Sequence, residues 1–170
     1  MKDKIVVSDT TAITHLARIG ALHLVHELYM TIYIPEAVYN ELTAHGDDVP
    51  GAKEVKTYPW IKTKQVQNLE RVRTLSNTID PGESEAIALA QEIKADLLII
   101  DEKIGRMHAK AAGLTITGMI GILILAKQKK LIPKVKPYLD NLIATKFKLS
   151  MALYNQALVM AGERTENRRA

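Results

Sequence analysis

The chain has 170 residues, 47% of them hydrophobic and 25% charged, enough to bury a core without disulfides or a structural metal and ordinary for one globular domain. It contains no cysteine, which excludes a disulfide framework, a thiolate nucleophile and a cysteine zinc site and fits a reducing compartment. The formal net charge of +4 permits a polyanionic partner without demanding one.

Read in chain order, Lys4 to Ser8 is a short β-branched run that predicts a strand, ending at Asp9-Thr10-Thr11, good helix-capping chemistry. Ile13, Leu16 and Ala17 then recur at helical spacing until Gly20, and a second helix is expected from Ala21 to about Tyr29. Thr31 to Ile34 reads as a strand, followed by a helix from Pro35, in its first turn, to about Leu42. After a polar loop come a short helix over Gly51 to Tyr58, a strand over Trp60 to Val66 and a weak helix over Asn68 to Leu75. Asp80-Pro81-Gly82-Glu83 opens a strong helix reaching about Lys94, and Leu97 to Ile100 is a buried strand. A helix over Lys103 to Ala112, a strand over Leu114 to Thr117, and helices over Met119 to Lys129, Pro133 to Ala144 and Met151 to Ala161 complete the chain, with a frayed polar tail expected from Gly162. Short apolar strands alternating with helices predict an α/β fold with a mostly parallel central sheet covered by helices on both faces. Residues 1–146 are expected to carry the functional fold, with 147–170 a C-terminal helix and tail of the same domain. No apolar run approaches the roughly 20 residues that cross a bilayer, and Ile5 to Val7 is too short for a signal sequence, so a soluble cytoplasmic protein is expected.

In such sheets ligands sit beyond the carboxyl ends of the strands, and two strands end in aspartate, at Asp9 and Asp101. Each aspartate precedes a helix and can be its N-cap; together they can also form one carboxylate site, and position alone leaves both open. Between Ser76 and Glu102 lie seven acids and one base; between Lys127 and Lys148 lie seven lysines and one acid. Either block alone reads as a solvated face, but an acidic centre beside a basic surface also suits metal-dependent chemistry on a phosphodiester. Glu83 falls at N3 of a helix capped by Asp80, the spacing of a capping box, whereas Glu85 points about 200° away with no such explanation, at the head of a nearly all-apolar turn. Glu41, late in its helix, reads on spacing alone as a solvated helix-end acid. The chain has no phosphate-binding glycine loop with lysine, no dinucleotide fingerprint and no paired histidines at zinc spacing; Ser8 and Ser84 lie in no nucleophile elbow.

Val6-Val7-Ser8-Asp9-Thr10-Thr11 and Ile34-Pro35-Glu36-Ala37-Val38-Tyr39-Asn40-Glu41-Leu42 resemble the opening of a PIN domain. The stretch from Asp80 to Ala90, Ile99-Ile100-Asp101-Glu102 with Gly105-Arg106, Thr117 to Leu123, and Phe147 to Tyr154 are similar to an uncharacterised PIN subfamily close to VapC-type toxins. The resemblance implies a Rossmann-like sheet and a metal-dependent ribonuclease in which Asp9, Glu41, Glu85 and Asp101 hold Mg²⁺ or Mn²⁺. The third acid is commonly aspartate in VapC-type proteins and is glutamate here, and no aspartate follows the last strand, where Thr117 stands. The resemblance further implies water-driven cleavage of RNA to a 3′-hydroxyl and a 5′-phosphate, with Thr10 or Thr11 orienting water or phosphate. Lys103 and Arg106 would contact the RNA backbone, or lie on a solvated face. A small cognate antitoxin is the implied partner, bringing an arginine to the acids and an amphipathic helix to a groove around Leu16, Leu22 and Leu28; a homodimer is compatible with the same resemblance. The rival expectation is a non-catalytic PIN fold that only binds nucleic acid or protein.

Overall fold

The structure, a computed structural model, describes residues 3–145 and 147–165. The expected boundary residue Lys146 and the end of the expected tail, 166–170, lie outside the described residues. Five strands are described: β1 (Val6–Ser8), β2 (Ile32–Pro35), β3 (Ile61–Lys64), β4 (Leu97–Ile99) and β5 (Ile116–Thr117). They form one parallel sheet in the order β3-β2-β1-β4-β5. Around it lie α1 (Thr10–Arg18), α2 (His23–Tyr29), α3 (Glu36–Thr43), α4 (Ala52–Thr57), α5 (Leu69–Leu75), α6 (Pro81–Glu92), α7 (Lys103–Ala111), α8 (Met119–Gln128), α9 (Lys136–Ala144) and α10 (Met151–Met160).

Successive strand side chains point to opposite faces, and here both faces are covered. Val6 and Ile99 enter one core with residues of α1, α2, α8, α9 and α10. Val7, Leu98 and Ile100 enter a second core with residues of α5, α6 and α7. The continuous apolar strands of the sequence therefore reflect burial on both sides. α6 is the extreme case among the helices, since Ala86 through Ala90 are all buried.

Three details depart from expectation. Pro35 is the N-cap of α3 rather than part of its first turn. α9 begins at Lys136, three residues later than Pro133, because its exposed backbone donors find a partner there: Glu163 accepts hydrogen bonds from the amides of Val135 at 2.7 Å and Lys136 at 3.1 Å. Pro137, in the first turn, has no amide to satisfy. The same carboxylate meets the Lys127 ammonium at 3.2 Å, so the chain beyond Gly162 is fastened rather than frayed as far as Glu163. Finally, the groove expected around Leu16, Leu22 and Leu28 is absent: Leu16 and Leu22 are buried, and Leu28 packs half-buried against the same core. These leucines pack α1 and α2 into the chain's own core.

Glu163 joins the chain's end to the start of α9 through two amides and an ammonium. Glu163→Ala is expected to lower the unfolding free energy by about 1–3 kcal/mol, the cost of stranding the part-buried Val135 amide and Lys127 ammonium, while Glu163→Gln loses less because its amide oxygen still accepts. Urea denaturation measures both; an unchanged midpoint for the alanine variant would show that the end of the chain is not docked in solution.

Candidate active site

The strand order reverses at β1: the chain leaves it for β2 on one side and returns through β4 on the other. The carboxyl ends of β1 and β4 therefore open on a topological switch point, where parallel sheets take their ligands. The ladder continues one residue beyond β1, with the Asp9 amide donating to the Ile99 carbonyl at 3.0 Å. This bond seats Asp9 beside the end of β4, whose next residues are Ile100 and Asp101.

Asp9 serves as both cap and free acid. Its Oδ1 accepts the Ala12 amide at 3.0 Å and caps α1. Its Oδ2 is buried with no hydrogen-bond partner, and the residue is only 1% exposed. Asp101 does not cap the helix that follows it; Glu102 holds that position, without a side-chain capping bond. Instead Asp101 Oδ1 accepts the Met119 amide at 2.9 Å and caps α8 from the neighbouring loop. The N-cap residue of α8 is Gly118, which has no side chain to cap with, and a Cβ there would collide with Asp101 Oδ1. Asp101 Oδ2, like Asp9 Oδ2, is buried without a partner.

Of the two acids early in α6, Glu83 is the buried one, and its charge acts on Asp9. Asp80 Oδ1 accepts the Glu83 amide at 2.8 Å, one half of a capping box. The Glu83 carboxylate does not return to the Asp80 amide: it is buried, with Oε1 unpartnered, and its charge acts on Asp9. Glu85, on the other side of α6, accepts the Ala37 amide at 3.2 Å with Oε1 and so supports the first turn of α3. Glu41 is exposed, and its Oε2 accepts the Thr10 hydroxyl at 2.9 Å. Thr10 thus holds Glu41, and Thr11 is half-buried in the same turn. Lys103 is exposed at the head of α7. Arg106 is not on a solvated face: its guanidinium donates to the Ile100 carbonyl at 2.7 Å and stands beside Asp101.

Burial raises the pKa of all three inner acids. It pushes Asp9 well above the usual carboxylate range, with the charge of Asp101 adding to the effect. It raises Asp101 as well, tempered by the Met119 amide and the Arg106 charge. Glu83 is pushed up to about 7 by burial, helped by the charges of Asp80 and Glu102. Among the described residues no three acidic or histidine side chains are gathered into a ready-made metal shell. The donor set is nevertheless the kind a hard cation takes: oxygen only, from separate chain segments, with three buried oxygens lacking any protein partner. A divalent ion there would offset the repulsion that otherwise keeps these acids protonated.

A Rossmann-like parallel sheet with acids at its switch point defines a class of α/β proteins that take their ligands beyond the carboxyl ends of the strands. A family model described as a PIN domain matches residues 5–163, and the chain belongs to that family. PIN domains are generally nucleases and typically use divalent metals. No curated protein matches the chain.

Acids whose pKa is raised by folding favour the folded state when protonated. In chelator their contribution is complete below the unfolded carboxyl range near about 4 and is lost as pH rises through the folded values, which reach about 7 for Glu83. Denaturation in EDTA should therefore show stability falling as pH rises from about 4, with Glu83→Gln removing the part of the fall that lies up to about 7. A flat profile for the wild type would mean that these acids are solvated.

Proposed function

We propose that this protein is a Mg²⁺-dependent endoribonuclease whose metal is held by Asp9, Glu83 and Asp101, with Glu41 completing the acidic set from the exposed side. The observation that carries this reading is the trio of buried, unpartnered carboxylate oxygens at the switch point. Mg²⁺ or Mn²⁺, when bound, would supply an activated water and neutralise charge on the phosphodiester. The chain's own residues do the rest. Asp9 and Asp101 each commit one oxygen to a helix start, which fixes the direction of the other. Thr10 orients Glu41 at the rim, where a carboxylate can accept a proton from water. Lys103, exposed at the head of α7, meets the phosphate backbone, and Arg106 stays behind Asp101 as its positive neighbour. Glu85, which the resemblance puts among the metal ligands, is assigned here to support α3.

Asp9→Asn, Asp101→Asn and Glu83→Gln are each expected to reduce metal-dependent RNA cleavage at least about 100-fold, beyond the usual cost of losing a merely supporting residue. Glu85→Gln should cost less than any of them. The check is a Mg²⁺-titrated assay on RNA and DNA oligonucleotides with folding confirmed by circular dichroism. Wild-type rates in all three variants would favour the non-catalytic binding module.

The VapC likeness extends the proposal to a toxin held by a small antitoxin. A negative pocket with unpartnered oxygens is a natural receptor for an arginine fork, which satisfies several oxygens at once. Inhibition by such a partner should weaken as Mg²⁺ rises, because arginine and cation compete for the same carboxylates. Inhibition independent of Mg²⁺, or overexpression without a growth defect, would leave a nuclease that is not a toxin controlled at its metal site.

A further inference from the structure

Three glycines with ordinary backbone angles stand where a side chain would displace an acid of this site. A Cβ on Gly82 would lie 2.8 Å from Glu41 Oε2 and 2.9 Å from Thr10 Oγ1. One on Gly105 would lie 2.8 Å from Glu83 Oε1, and one on Gly118 would collide with Asp101 Oδ1. None of the three has a left-handed φ, so their backbone conformation does not demand glycine. Gly105 is the plainest instance. It sits inside α7, where alanine would be the better helix former, and it is buried. What fills its missing side chain is a carboxylate oxygen that has no hydrogen-bond partner.

We propose that Gly105 is a positioning residue for the acidic centre: the notch it leaves in α7 admits the carboxylate of Glu83 and holds it on the side of Asp9. Gly82 and Gly118 do the same for Glu41 and Asp101. The inference rests on the metal-site reading above for its consequence, but not for its geometry. The Gly105 notch fixes its carboxylate by shape alone, with no hydrogen bond to draw charge away from a cation, whereas the oxygens at Gly82 and Gly118 also accept from the Thr10 hydroxyl and the Met119 amide. A methyl group at position 105 would expel Glu83 from its seat, because heavy atoms cannot approach so closely, and would leave α7 itself intact.

A double-mutant cycle in chelator tests the geometry. Gly105→Ala should lower the urea midpoint in the wild type and should lower it less, or raise it, in Glu83→Ala, where the notch is empty. The contact a Cβ would make with Ile100, at 2.9 Å, is common to both backgrounds and cancels. An equal loss in both backgrounds would overturn the proposal, since it would mean that Gly105 answers only to Ile100 and the helix. Calorimetry with Mn²⁺ alone tests the consequence: Gly105→Ala should weaken binding by ~10- to 100-fold, as loss of a supporting residue does. Unchanged Mn²⁺ affinity in a folded Gly105→Ala protein would also overturn it. A wild type that binds no Mn²⁺ would instead refute the metal-site reading, and the cycle would still decide the role of Gly105.

Discussion

The site depends on one backbone hydrogen bond, from the amide of Asp9 to the carbonyl of Ile99. It carries the β1–β4 ladder one residue past the strand, so an aspartate occupies a place that the sheet geometry reserves for a buried, paired residue. Because β1 is covered on both faces, Asp9 cannot turn out to water without breaking the ladder. Its carboxylate must find partners inside, and only one of its oxygens does, at the start of α1. Asp101, one residue beyond Ile100, inherits the same confinement and the same half-satisfied state.

Such an arrangement is held against its own preference. Desolvation and mutual repulsion favour protonated acids, and the two apolar cores on either side of the sheet supply the stability that keeps them together. α6 concentrates this opposition. Its apolar body, from Ala86 to Ala90, is buried on every side, and that burial carries Glu83 into the interior with it. Local strain between fold and charge of this sort marks sites whose function outweighs stability.

The architecture was legible in the sequence because apolar runs, capping residues and Gly stops are local signals. Every strand and helix described was expected at nearly its place, and Asp9 and Asp101 followed from the rule about strand ends. That Glu83 would be buried near Asp9 while Glu85 accepts the Ala37 amide was not legible. Both lie on a helix that is apolar all round, so periodicity names no buried face, and the capping-box spacing gave Glu83 a sufficient explanation that the structure fulfils only by half. The true cap of α8 was hidden for a different reason: it comes from Asp101, seventeen positions before the capped helix's own N-cap, and local pattern cannot see it. A hint was present in Gly118, a helix start with no capping side chain. The leucines of α1 and α2 show the opposite limit, since an amphipathic face in sequence does not say whether its cover comes from the same chain or another.

The two outer strands bear on how copies of the chain meet. β3, at one edge, carries exposed Lys62 and Lys64, and β5, at the other, is only two residues long. A charged border and a truncated one are both poor templates for a further strand, so the margins of the sheet disfavour edge-to-edge pairing with a second copy.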